Sequence, residues 1–122
     1  PTLLWSYIGT KNGLADWFAD DVLNEEKLFT FFWNKSSQQA HQIAVRSGSY
    51  IRFHWSDDED EKSFFELRIS SSELTGATML VITDFAYPDE MADSRGLWDH
   101  QIETLRRKLG VWLFLKRLKG KF

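Results

Sequence analysis

Through the middle of the chain, apolar and polar positions alternate with a period of two. Phe29, Phe31 and Trp33 share one phase; Ile51, Phe53 and Trp55 a second; Phe65, Leu67 and Ile69 a third. Side chains on a strand point to opposite faces in turn, so each phase is one face of a strand. The pattern predicts strands near 27–33, 38–46, 49–56, 62–70 and 78–86. Short polar or Gly-bearing stretches separate them, which implies an antiparallel meander. Before it, Leu3, Leu4, Trp5, Tyr7 and Ile8 follow Pro1 at the spacing of a short helix that Gly9 ends. Lys11-Asn12-Gly13 reads as a turn and Leu14–Ala19 as a second short helix.

After Pro88 the period lengthens. Trp98, Ile102, Leu105, Leu109 and Trp112 are spaced four, three, four and three apart, one apolar stripe on a long helix beginning between Asp89 and Asp93. Acids at that start suit the positive end of a helix. Gly110 costs a helix interior about 1 kcal/mol, so the helix either ends there or runs on into Val111–Lys119, and the stripe favours continuation. Two short helices, five antiparallel strands and one long helix make an α+β fold with the sheet packed on the long helix. A space between a curved sheet and that helix would suit a small apolar ligand.

Composition sharpens this picture. Six Trp, ten Phe and three Tyr make 16% of the 122 residues aromatic, enough to fill a core and line a cavity. With no Cys there is no disulfide, thiolate nucleophile or Cys-ligated metal, which fits a cytoplasmic setting. No apolar run approaches the ~20 residues of a membrane span. The chain starts at Pro1 without Met, which leaves upstream residues, and a leader among them, open. Residues 1–61 carry five Lys/Arg against ten Asp/Glu, and from Arg106 to Phe122 there are seven basic residues and no acid. An acidic body with a basic end argues against nucleic-acid binding and for a separate interaction tail.

Several segments together resemble a known family: Gly13-Leu14-Ala15-Asp16-Trp17-Phe18-Ala19-Asp20-Asp21-Val22, Phe29-Thr30-Phe31-Phe32-Trp33, Gly48–Trp55, Glu73-Leu74-Thr75, Leu80–Ala86, and Leu97-Trp98-Asp99-His100-Gln101-Ile102 leading to Leu109-Gly110. In this order they resemble the START-like (helix-grip, Bet v 1-like) superfamily, and within it the bacterial proteins akin to the activator of the heat-shock-protein-90 ATPase. The resemblance implies a curved antiparallel sheet gripping a long C-terminal helix around a cavity. It implies no single function, since such relatives bind lipids, sterols or metabolites, act on them, or bind proteins. It covers residues 1–110 as one domain and leaves 111–122 as a basic aromatic extension. The family's strand before the first helix is missing here, so an open sheet edge is expected, filled by upstream residues or a neighbouring chain.

The candidate ligand cavity comprises Trp17, Phe31, Trp33, Phe53, Trp55, Leu67, Ile82, Asp84, Trp98 and Ile102. The alternative is that these positions form a solid core, since interiors fill to crystal-like density. Trp17 and Phe18 either lid the cavity or anchor their helix. Asp84 shares the phase of Leu80 and Ile82; it is an acid/base candidate if it faces the core and a solvated carboxylate if Val81 and Phe85 do. His41, His54 and His100 fall on different elements without ligand spacing, so no metal and no cofactor is expected. Asp57–Glu61 lacks the spacing and Gly of a calcium loop and reads as a solvated turn. Asn34-Lys35-Ser36 reads as a turn.

The leading function is therefore non-enzymatic binding of a hydrophobic small molecule. A co-chaperone-like protein-interaction module is the alternative, and an enzyme using Asp84 on a lipophilic ligand the third. The tail Val111–Phe122 combines Trp112, Leu113, Phe114, Leu115 and Leu118 with basic residues. It is expected to be ordered by the fold, by a second subunit, which would make a homo-oligomer, or by a membrane surface.

Overall fold

The structure, a computed structural model, describes residues 2–109 and 113–120, with the backbone alone for Thr2 and for 113–120. Helices α1 (Thr2–Ile8) and α2 (Lys11–Trp17) precede strands β1 (Asp21–Glu25), β2 (Leu28–Trp33), β3 (Ser36–Arg46), β4 (Tyr50–Trp55), β5 (Phe65–Ser71) and β6 (Thr78–Ala86). A 3-10 turn at Pro88–Glu90 leads into α3 (Met91–Leu109), and β7 (Leu113–Gly120) follows. The strands form one curved sheet in chain order, antiparallel from β1 to β6, with β7 parallel to β6.

The second helix begins earlier than expected, so Lys11-Asn12-Gly13 is its first turn and not a separate loop. Thr10 caps it, its Oγ1 accepting from the Gly13 amide at 3.0 Å. A side chain at Gly13 would put its Cβ 1.9 Å from the Ser6 carbonyl oxygen, so only glycine lets α1 and α2 cross this closely. The Trp17 indole donates to the Tyr7 carbonyl at 2.8 Å and ties the two helices together.

Strand β1 has no counterpart in the periodic pattern, because only Val22 of its five residues is buried. It hairpins onto β2 through Glu26, which takes a left-handed φ of 57°. On β3 the alternation breaks at a bulge: Gln42 pairs with Phe53 but Ala44 pairs with Arg52. The extra residue, Ile43, changes the phase, so Ala40 before the bulge and Val45 after it lie opposite inward residues of β4. Gly48, at φ 79°, makes the following turn.

Phe29, Phe31, Ile51, Phe53, Phe65, Leu67, Leu80 and Ile82 are buried in one cluster with Leu4 and Ile8 of α1, Leu14 of α2, and Trp98, Ile102 and Leu105 of α3. The acids Asp89, Glu90 and Asp93 lie in first turns, and Arg106, Arg107 and Lys108 in the last turn of α3, each at the helix end whose partial charge it offsets.

Helical continuation past Gly110 is overturned from Leu113 onward. There the backbone pairs with β6 in register from Met79 opposite Leu113 to Ala86 opposite Gly120. The reason is the ladder: β6 has an edge of unpaired peptide groups, and α3 carries the chain back to the start of that edge. The β6 edge is thus occupied by the chain's own C-terminal segment, and β1 forms the other edge of the sheet. Docking of Trp112 falls outside the described residues.

Candidate ligand-binding site

Phe18 is the junction of the molecule's open end. Its ring stacks on Phe65 and on Trp98 at 5.5 and 5.6 Å between centroids, and meets Phe31 edge-on at 4.9 Å. Its carbonyl accepts from the Trp33 indole at 3.0 Å and from the Gln101 amide at 2.8 Å. One residue after α2 therefore fixes β2 and α3 together. Trp33 and Trp55 come next on the inward phase, their rings 6.4 Å apart and half-buried.

A recess of about 360 Å³ lies between these rings and α3, lined by Phe18, Trp33, Gln38, Trp55, Asp84, Ser94, Leu97, Trp98 and Gln101. Asp84 faces it, half-buried. Its Oδ2 accepts from the Trp98 indole at 2.8 Å and its Oδ1 from the Phe85 amide at 2.7 Å. Two further hollows share its walls. One of about 360 Å³ runs past Asp16, Asp20, His100 and Thr104, sharing Phe18, Trp33, Leu97 and Gln101. The other, about 540 Å³ and more open, is lined by Asp57–Asp60, Tyr87 and Glu90 and shares Gln38 and Trp55.

The sequence matches the START-like superfamily domain over residues 1–111. The chain belongs to the START-like superfamily. Domains of this superfamily commonly bind hydrophobic ligands and are generally not catalytic. The solution NMR structure of a Bacteroides fragilis protein is similar at 48% identity and a TM-score of 0.59, over 91% of this chain and 82% of that one. The search of curated proteins finds no match. Among the described residues no helix is long and apolar enough to cross a membrane.

The START-like domain divides the ten expected cavity residues. Trp33, Trp55, Asp84 and Trp98 line the recess, and Trp17 lines the hollow beside it. Phe31, Phe53, Leu67, Ile82 and Ile102 line none of these three spaces. They are buried in the core, where aromatic rings interlock: Phe31 on Phe53 at 5.7 Å, Phe53 on Phe65 at 5.0 Å. Between sheet and helix these positions are solid core, and the open space is displaced to one end. Trp17 is 4% exposed and serves as the anchor of α2.

Gln38, Ser94, Leu97 and Gln101 were invisible to sequence reasoning. Each is a polar or exposed position flanking an element's apolar face, and only the end of the sheet brings them together. His41 and His54 are direct cross-strand partners, and the His54 Nδ1 lies 2.9 Å from the Ser63 carbonyl. Within the acidic run, Asp58 and Asp60 accept from backbone amides at Asp60 and Lys62, and so shape their own loop.

The opposite face of the sheet carries a different cluster. Glu66 is 7% exposed between Arg52 and Arg68, which donate to it at 2.9 and 3.0 Å. Arg52 lies over the Phe64 ring at 4.2 Å and Arg68 over Tyr50 at 4.1 Å. Burial pushes the Glu66 carboxyl up, but the hydrogen bonds and charges of both arginines outweigh it and hold the group below its ordinary value. The same contact raises Arg68.

Proposed function

We propose that this START-like domain binds a hydrophobic small molecule in the aromatic recess at the end of the sheet and does not transform it. The observation that carries the reading is the recess itself. Phe18, Trp33, Trp55 and Trp98 give it ring walls, while Gln38, Gln101 and Asp84 supply a few polar groups. Its volume is at the lower end of the ~300–1,000 Å³ of ligand pockets, and apolar walls with sparse polar groups are their usual composition. Asp84 suits orientation better than acid/base work, since both its oxygens accept hydrogen bonds from the protein. A cytoplasmic setting accords with the Cys-free sequence.

The test is titration of the intact chain with the neutral probe N-phenyl-1-naphthylamine, followed by probe fluorescence and by NMR of the indole N–H groups. Saturable binding that shifts the Trp33 and Trp98 indoles, and that Trp55→Ala weakens, is the expected result. Absence of saturable binding refutes the reading.

The outer face of β4 and β5 favours a second reading, a co-chaperone-like interaction module. Guanidiniums fixed on aromatic rings are the side chains that protein interfaces concentrate. Charge reversal at Arg52 and Arg68 would abolish partner capture on that reading and leave probe binding intact.

A further inference from the structure

Two histidines that the sequence keeps apart face one another across the sheet. His41 of β3 and His54 of β4 are direct partners in a register that is regular on either side of them, Ala40 opposite Trp55 and Gln42 opposite Phe53. Directly opposed side chains leave the same face of a sheet, with Cβ atoms about 4.5–5.5 Å apart. Residues one turn apart on a helix have nearly the same spacing, about 5–6 Å, and the paired histidines of H-E-x-x-H helices hold one metal ion at that distance. Phe53, beside His54 on its strand, is fully buried in the core, so the two imidazoles leave the outer face. His41 is exposed there and His54 half-buried.

The His54 ring is held in the orientation and tautomer that coordination needs. Its Nδ1 lies 2.9 Å from the Ser63 carbonyl oxygen. A carbonyl only accepts, so Nδ1 carries the proton and the neutral ring keeps its lone pair on Nε2. Metal-binding histidines almost always donate their second nitrogen to a carbonyl or a carboxylate in this way. Ser63 is itself fixed. It is 4% exposed, its amide donates to the Asp60 carbonyl at 3.1 Å, and its hydroxyl lies within hydrogen-bond reach of the Asp58 carboxylate and the Asp60 carbonyl. The acidic loop thereby holds the carbonyl that orients His54. Arg52, two residues before His54 on the same face, is engaged by Glu66 at 2.9 Å, which partly offsets its charge.

We propose that His41 and His54 form a binding site for a divalent transition ion of the zinc, nickel and copper class, held by Nε2 of His54 and a ring nitrogen of His41. Imidazole suits these ions, whereas magnesium and calcium take oxygen ligands. Among the described residues no group of three or more His, Asp or Glu is placed to hold a metal, so water completes the shell and the ion exchanges with solvent. The site lies on the face of the sheet opposite the aromatic recess and is independent of the reading of that recess.

The test is titration of the full chain in neutral buffer with nickel chloride, zinc chloride and magnesium chloride in turn, read by NMR of the histidine ring C–H groups and by urea unfolding. Paramagnetic nickel should broaden the ring signals of His41 and His54 and spare those of His100, which lies on α3. Zinc should shift the same two. At ten times its Kd, nickel or zinc should move the folding equilibrium about tenfold toward the folded chain, and magnesium at the same concentration should not. His41→Ala removes an exposed ligand and should weaken nickel binding about tenfold or more, as should His54→Ala. Metal-free thermal melts matching the unsubstituted chain show that the variants are folded, and His41→Ala decides if His54→Ala is not. Nickel binding that survives His41→Ala unchanged, broadening confined to His100, or sharp His41 and His54 signals at millimolar nickel overturns the site. An equal response to magnesium overturns the assignment to ions that seek nitrogen.

Discussion

Trp98 is where grip and recess meet, and its replacement tests both. The side chain is 5% exposed, stacks on Phe18 at 5.6 Å, lies 6.1 Å from the Phe65 ring, and donates its indole N–H to Asp84 at 2.8 Å. Trp98→Ala removes the ring, opens a cavity under α3 and takes a donor from a half-buried carboxylate. A core Trp→Ala change costs about 3–5 kcal/mol. The lost donor makes up about 1–3 kcal/mol of such a penalty. Against a typical total of about 5–15 kcal/mol, that is about a fifth or more of the stability. For a chain of 122 residues it lowers the melting temperature by roughly 10–20 °C. Trp98→Phe keeps most of the stacking and loses the hydrogen bond, so it should fall between wild type and Ala. Leu97→Ala is the control: Leu97, next to Trp98 on the helix, is 69% exposed, and an exposed position changes stability by about 0.5 kcal/mol or less. Urea unfolding followed by circular dichroism measures all three. A Trp98→Ala loss below about 1 kcal/mol with an unchanged denaturant slope would refute the packing described here.

Two further outcomes follow from the sheet. The Glu66 carboxyl is held below its ordinary value in the folded state, so between the folded and unfolded values the unfolded chain binds more protons. Its contribution is therefore present above the unfolded value of about 4.5 and is lost as pH falls through the folded one; Glu66→Gln should destabilise at neutral pH, by a margin that shrinks on acidification, and a margin independent of pH contradicts this. Deleting residues 111–122 removes β7 and bares the edge of β6, so the truncated chain should melt lower and associate more in sedimentation; identical melting and sedimentation would show that the strand contributes nothing, and reduced association would assign the segment to a subunit interface instead.

Local periodicity alone settles most of the strands and the long helix. Phe29, Phe31 and Trp33 or Ile51, Phe53 and Trp55 announce a strand face because burial on one side of a sheet selects apolar residues at every second position. Trp98, Ile102 and Leu105 announce a helix stripe for the same reason at a longer period. The order of these stretches, with the motifs around Trp17 and Trp98, was enough for the superfamily. Other features needed the tertiary structure because their causes are remote in the chain. Strand β1 buries Val22 alone and exists by pairing with β2. The α3 stripe runs on paper past Gly110 to Trp112 and favours a longer helix, yet from Leu113 the free edge of β6 makes the chain a strand. Which ring of the inward set is core and which is wall depends on what packs over it. Phe31 and Phe53 are enclosed by Phe18, Phe29 and Phe65 and are solid interior, while Trp33 and Trp55, two residues further along the same faces, stay half-buried and line a recess with Gln38, Asp84 and Gln101. Alternation records which face a side chain takes; only the packing of one element on another records how far along that face the cover extends.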